Sequence, residues 1–352
     1  MNAFELGVET FGDVTLRSDG HPKSDAEVIR DVVEEAVLAD QVGLDFIGIG
    51  EHHRPDFVIS APEVVLAAIA GRTSRIHLGS AVTVLSSDDP VRVFQRFATL
   101  DAISDGRAEV ILGRGSFTES FPLFGYDLSQ YDTLFEEKLE LFAALLKEGP
   151  INWSGTVRSP LNGQIVYPRT ESGLRTWIGV GGSPESVVRA AHYNLPLMLA
   201  IIGGNPLRFA PLVALYRRAL SEFDGTSANP IGLHSHGHVA STDQEAMDQL
   251  WPHYAERHAH MARERGWPPI TREQFEASAG PDGALFVGSP ETVAGKIVNV
   301  ARGLGVSRFD MKYSAGTLPH ELVMESIHLL GSTVAPLVRT ELEGTWADEA
   351  VA

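Results

Sequence analysis

Two hydrophobic rhythms alternate along the chain. Short, nearly continuous apolar runs at 4–10, 45–50, 76–85 and 108–112 are separated by longer stretches in which apolar residues recur every three or four positions. Over 27–42, Val28, Val32, Val33, Ala36, Val37 and Ala39 fall on one helical face, and Gly43 stands where a left-handed residue would end the helix. The longer stretches predict helices at 27–42, 62–72, 90–103 and 131–146. The short runs read as strands covered on both faces, as in a parallel sheet. After a polar stretch at 153–170, expected to wrap the surface, strand and helix alternate again: 177–180 with 184–192, 197–202 with 209–223, and 231–240. A charged, proline-containing segment at about 243–286 reads as a helical insertion. A helix at 290–304 and an eighth strand at 308–313 follow.

Eight strands in strict alternation with helices, undivided by any linker, predict an α/β fold: an eight-stranded parallel β/α barrel of the TIM type, with the insertion after strand seven. The expected organisation is one domain over 1–340 and a C-terminal tail over 341–352.

With 46 acidic against 28 basic residues, the net charge of -18 repels phosphate backbones and anionic bilayers, so neither nucleic acid nor a membrane is an expected partner. The absence of cysteine removes disulfides, thiolate metal sites and cysteine nucleophiles. The first nine residues lack a basic then apolar leader pattern, and the apolar runs are too short to span a bilayer, so a cytoplasmic protein is expected.

Three clusters at predicted strand ends could carry chemistry, since barrel enzymes work at that rim. Glu51, His52 and His53 follow strand two; a histidine there can exchange a proton near neutral pH, and the glutamate could orient it. Gly113-Arg114-Gly115-Ser116 ends strand four and pairs a close-approach turn with a forked cationic donor suited to phosphate. Val180-Gly181-Gly182-Ser183-Pro184-Glu185-Ser186 ends strand five and opens a helix whose amides favour an anion, with Ser183 as cap. Each cluster alone also fits a plain surface loop, glycine turn or helix cap. The glycine spacing is not that of a dinucleotide fingerprint, and no serine-hydrolase elbow occurs. His234, His236 and His238 share one strand face, but strand one lacks the paired histidines of metal-dependent barrel hydrolases, so no metal is expected.

Taken in order, Glu51-His52-His53, the stretch 79–92 (GSAVTVLSSDDPVR), 106–124 around Gly113-Arg114-Gly115, Gly181-Gly182-Ser183 and Gly288-Ser289-Pro290-Glu291 resemble the luciferase-like flavin monooxygenase family over nearly the whole chain. The resemblance implies reduced FMN with oxygen or, in a sister branch, a deazaflavin. It implies that Arg114 and Ser183 hold the flavin phosphate, near Ser116, Val180, Gly181, Gly182 and Ser186, and that His52 is the catalytic histidine, with Glu51 beside it. It further implies a non-proline cis peptide at Ala81-Val82 beneath the flavin ring. Tyr131 stands where luciferases carry a second phosphate-binding arginine, Asp89 replaces a histidine, and Gly113 replaces a cysteine, so bioluminescence is not expected.

The resulting expectation is a monooxygenase that takes FMN from a separate reductase, uses molecular oxygen, and oxidises a small organic substrate. Phe11, Phe57, Phe117, Trp177 and Met311 are candidate lining, and a homodimer is expected by analogy. A deazaflavin-dependent hydride-transfer dehydrogenase and a non-catalytic flavin-binding protein are the alternatives.

Overall fold

The computed structural model describes residues 4–226 and 228–343. Strands β1 (Glu5–Thr10), β2 (Phe46–Ile49), β3 (His77–Val84) and β4 (Ala108–Gly113) run round one side of a ring, joined by α1 (Asp25–Gln41), α2 (Pro62–Ala70) and α3 (Pro90–Ser104). After α4 (Ser120–Phe124), α5 (Tyr131–Leu145) and a hairpin of β5 (Ile151–Trp153) and β6 (Leu161–Gln164) comes β7 (Arg175–Val180). The ring continues through α6 (Pro184–His192), β8 (Leu197–Ala200), α7 (Ala210–Glu222) and β9 (Ile231–Val239). The insertion follows as α8 (Asp243–Arg265) and α9 (Arg272–Ala279), then β10 (Phe286–Gly288), α10 (Pro290–Leu304) and β11 (Arg308–Lys312).

Parallel pairing of β8 with β9, β9 with β11, and β11 with β1 closes a barrel of the expected TIM type. The short β10 stands outside the ring, paired to the last residues of β9.

Period-two alternation splits each strand between two environments. Outward residues such as Leu6, Val8, Ile47, Leu78, Val110 and Leu199 join the main apolar core beneath the helices. A smaller apolar group, Phe46, Ala81, Ile111, Trp177 and Met198, fills part of the barrel axis. The rest of the interior is polar, which continuous apolar strands would not provide. On β11 the buried series Arg308, Asp310, Lys312 alternates with Phe309 and Met311.

Arg308 is the hub of the lower barrel. Its Nη1 donates to Glu109 Oε2 at 2.7 Å, its Nε lies 2.9 Å from the Asp310 carboxylate, and its guanidinium sits 3.7 Å above the Phe46 ring. Trp177 Nε1 and Arg175 Nη1 donate to the same Glu109 carboxylate at 2.9 and 2.8 Å. Burial alone would push the Glu109 carboxyl up, yet Arg308, His77 and Arg175 hold it well below the usual carboxylate range.

Three features depart from the sequence reading. The stretch at 153–170 contains one strand of an antiparallel hairpin, whose strands are too short to show alternation. Past β11, α11 (His320–Leu329) packs on α1, and α12 (Ala335–Leu342) continues the chain, burying Val323, Ile327, Leu330, Val334 and Val338 at helical spacing. The expected tail boundary at 340 therefore falls inside α12; 344–352 lies outside the described residues, as do 1–3. Among the described residues no helix is long and apolar enough to cross a membrane.

Removing one member of a buried charge cluster strands the others. Replacing Arg308 by Met is expected to lower the unfolding free energy by about 3–5 kcal/mol, read as a lower urea midpoint at unchanged slope; a midpoint equal to wild type would show that the cluster is not a stability hub.

Candidate active site

At the C-terminal ends of the strands the inward positions become small, and the barrel opens into a cavity of about 680 Å³. Ala81, Gly113, Gly179, Gly181 and Ala200 lie along it. A Cβ on Gly113 would come within 2.6 Å of Val82 Cγ2, so this glycine lets β4 close on β3, whereas a Cβ on Gly181 would meet nothing within 4 Å. Ala81, Val82, Ile111 and Met198 give the cavity an apolar bed, and the Ala81-Val82 peptide is cis as the resemblance implied.

At the ends of β4 and β7 the lining turns polar. Arg114, Ser116, Val180, Gly181 and Ser186 line this part. Ser183 caps α6, accepting from Ser186 N–H at 3.3 Å, and Gly182 adopts φ +123°, a conformation that favours glycine. Arg114 donates to exposed Asp132 at 2.9 Å and lies 5.4 Å from the Tyr131 ring centre. Tyr131, at the position of the missing arginine, donates its hydroxyl to Gly115 O at 2.7 Å and so fixes the glycine turn. Arg189, on α6, donates to Ser186 Oγ at 3.3 Å and to Glu136 at 2.7 Å. The start of α6 and the Arg114 guanidinium meet at this part of the cavity, whereas Arg189 lies behind Ser186 in a separate groove with Glu136.

The loop after β2 carries His52. Its ring lies 4.5, 4.8 and 5.3 Å from the ring centres of Phe11, Phe57 and Phe117. Burial in this aromatic cage, reinforced by the positive charge of Lys312, lowers its pKa to about 3, so the imidazole is neutral at physiological pH. Glu51 does not orient it. The Glu51 carboxylate instead meets His53 Nε2 at 3.0 Å and accepts from Val84 N–H at 2.8 Å. Burial pushes the Glu51 carboxyl upward, while these two hydrogen bonds oppose the rise. The carboxylate thus ties the loop after β2 to the end of β3.

Another wall is polar. Behind the lining, Lys312 Nζ donates to Asp13 Oδ2 at 2.7 Å and Ser314 Oγ at 2.8 Å; burial brings its pKa down to about 8. His234 pairs with Glu9. His236, also on β9, lines the cavity with a buried Nε2 that lacks a protein partner, while His238, two residues on, binds Gln249 at 2.8 Å. From the insertion, α8 contributes Tyr254, Arg257, His258, Met261 and Arg265.

Of the residues singled out in the sequence, Glu51, His52, Ala81, Val82, Arg114, Ser116, Val180, Gly181 and Ser186 all line this one cavity. Gly182 and Ser183 stand just behind the lining, at the start of α6. Phe11 and Phe117 also line it, and Phe57 packs on His52. Trp177 and Met311 do not: Trp177 is fully buried against Glu109 and Arg308 lower in the barrel, and Met311 points outward against Gly237. Asp89 caps α3, accepting from the amides of Val91 and Arg92 at 2.9 and 3.2 Å. Sequence reasoning misses Arg189 and Arg257; the first has a local signal, lying three residues beyond Ser186, whereas the second depends on how the insertion folds back.

The family model for luciferase-like monooxygenases matches residues 10–308. The alkanal monooxygenase alpha chain of Photorhabdus luminescens is 27% identical over 67% of this chain and 65% of its own length. An F420-dependent glucose-6-phosphate dehydrogenase of Amycolatopsis mediterranei is 29% identical over 44% of this chain and 48% of its own. The oxygenating constituent of 3,6-diketocamphane monooxygenase from Pseudomonas putida, solved with FMN, shares the fold at TM-score 0.76 and 20% identity, over 95% of this chain and 99% of that one. The chain spans 39% to 65% of the length of several curated relatives.

Because the folded pKa of His52 lies below its ordinary 6.5, the unfolded chain binds the extra proton between about pH 6.5 and 3. The contribution of His52 to stability is therefore full above about pH 6.5 and lost as the pH falls towards 3. The ring signal that disappears in His52→Gln is expected to stay at its neutral position from about pH 8 to 5 in nuclear magnetic resonance spectra. A midpoint near 6.5 would contradict the burial argument.

Proposed function

The chain belongs to the luciferase-like monooxygenase family, and from that premise we propose that it binds FMN reduced by a separate enzyme and uses oxygen to oxidise a small organic substrate. The observation that carries this reading is the placement, on one cavity, of an anion-receiving end, an apolar bed and a neutral caged histidine. The donor set fits FMN: one phosphate for Arg114, the start of α6 and Ser186, and an apolar slot for a flat ring system between Ala81-Val82, Ile111 and Met198.

When bound in its reduced form, FMN supplies the electrons that activate oxygen. The residues of the chain do the rest. Arg114 and the start of α6 anchor the phosphate and fix how deep the ring sits. Phe11, Phe57 and Phe117 keep water from His52, whose neutral imidazole can accept a proton from the substrate and return it at the end of turnover. Glu51, through His53 and the Val84 amide, positions the loop that carries His52.

Titration of the purified chain with FMN, reduced FMN and the deazaflavin in oxygen-free buffer tests the reading. Tightest binding of reduced FMN is expected, weakened at least tenfold by Arg114→Ala, which corresponds to about 1.4 kcal/mol. Preference for the deazaflavin would transfer the site to hydride-transfer dehydrogenation, as in the F420-dependent relative. Absence of binding by any of the three would remove the flavin reading. In His52→Ala, flavin binding is expected to survive while single-turnover substrate oxidation falls by about 10²-fold or more; unchanged turnover would deprive His52 of its role.

A further inference from the structure

Among the described residues, most charges around the cavity are held by an opposite charge. Arg54 is held by Asp56, Glu119 and Glu264; Arg114 by Asp132; Lys312 by Asp13; Glu9 by His234; Glu51 by His53. Arg265, at the exposed rim, lies 5.2 and 5.1 Å from the ring centres of Phe117 and Trp267. Arg257 has none of these. Among the described residues its guanidinium makes no hydrogen bond, ion pair or ring contact, and its Nε is buried without a partner. Asp13 lies within electrostatic reach but is saturated: Oδ1 accepts from Gly316 N–H at 2.8 Å, and Oδ2 from Lys312 and from Ser314 at 2.7 and 2.6 Å.

Beside Arg257 on the same wall stand His236 and His258, each with a buried ring nitrogen that lacks a protein partner. The guanidinium brings five N–H donors, and each imidazole nitrogen can donate or accept according to its tautomer. The buried Nε of Arg257 requires an acceptor, and a forked guanidinium matches a carboxylate in shape and charge. The corner lies on β9 and α8, away from the Arg114 end, so it is not a second part of the phosphate seat.

We propose that Arg257, flanked by His236 and His258, is the recognition subsite for a carboxylate on the substrate, which makes the substrate a small organic acid. The inference rests on the flavin monooxygenase reading only in calling the bound acid a substrate. Binding of the acid anion itself depends on the corner alone. The apolar bed and the aromatic cage then receive the hydrocarbon part, placing an oxidisable carbon between the carboxylate and His52.

Calorimetric titration with benzoate and with its neutral counterpart benzamide tests the subsite. In the chain saturated with FMN, benzoate is expected to bind at least tenfold more tightly than benzamide. Arg257→Gln is expected to abolish that preference, and Arg257→Lys to retain part of it. Without FMN, Arg114→Ala is expected to leave benzoate affinity unchanged, which separates this corner from the phosphate end. Equal affinities for benzoate and benzamide, including no binding of either, or a folded Arg257→Gln variant that binds benzoate like wild type, would overturn the proposal. If the chain takes no FMN while Arg257-dependent benzoate binding persists, the flavin reading falls and the acid subsite stands; if it takes FMN but shows no benzoate selectivity, the acid subsite falls and the flavin reading stands.

Discussion

Closing eight strands on one axis brings their inward side chains together, and here the lower half of the barrel solves that crowding with a buried arginine. Arg308 draws Glu109 of β4 and Asp310 of β11 onto one guanidinium, while Arg175 of β7 reaches both Glu109 and Glu5 of β1. Four strands that are not all neighbours are thereby tied across the axis. A buried ion cluster is not automatically stabilising, because desolvation opposes the Coulombic attraction. In this barrel the cluster is nearly saturated: Trp177 and Arg175 donate to Glu109, and the Phe46 and Trp177 faces flank the guanidinium. On β3, β4, β7 and β8 the large side chains end near that level, whereas β1 and β9 carry Glu9, His234 and His236 into the mouth. Above that level on the former four stand glycines and alanines, so the packed base and the open mouth are two halves of one division of interior volume.

That division explains which parts are readable from the sequence. Helix faces repeat every three or four residues whatever the tertiary context, so α1, α3, α5 and α6 declare themselves through residues such as Val28, Val32, Ala36 and Ala39. The barrel closure follows from alternation and count. The polar interior is harder to see, because Arg308-Phe309-Asp310-Met311-Lys312 looks like a solvated strand unless its charges are known to meet Glu109 and Asp13 from distant segments. The hairpin at β5 and β6 is too short to carry a period. Helices α11 and α12 do carry one, at Val323, Ile327, Val334 and Val338, but lie beyond the last strand that the barrel pattern demands.

At the site, motif positions are legible and partnerships are not. Glu51 adjoins His52 in sequence, yet in the loop after β2 its carboxylate serves His53 and the Val84 amide. Trp177 belongs to a strand that reaches the mouth, which makes it a natural candidate for lining; its place near the strand start puts it in the base instead. The departures at Tyr131 and Asp89 become intelligible only in three dimensions. One hydroxyl fixes the Gly115 carbonyl, and the other side chain caps α3 beneath the cavity rim.

Charge is treated in opposite ways at the Arg114 and His52 parts of the cavity, which fits the proposed pairing of a small substrate with a larger anionic cofactor. At the Arg114 end the guanidinium is already balanced by an exposed carboxylate, Asp132. In the proposed function a phosphate there exchanges one anion for another; Pro184 has no N–H and the Ser186 amide already bonds Ser183 Oγ, so the helix contributes its dipole more than free amides. Around His52 the environment is low in polarity, and the imidazole cannot hold a proton at rest. An imidazole so far below the working pH takes up a proton only when a negative charge arises beside it during turnover, which is the condition its proposed role imposes. The insertion joins these regimes. Helix α8 brings Arg257 over the mouth beside His236 of β9, so the proposed acid corner joins the inserted segment to a barrel strand, while the proposed phosphate seat is made by the ends of β4 and β7 and the start of α6.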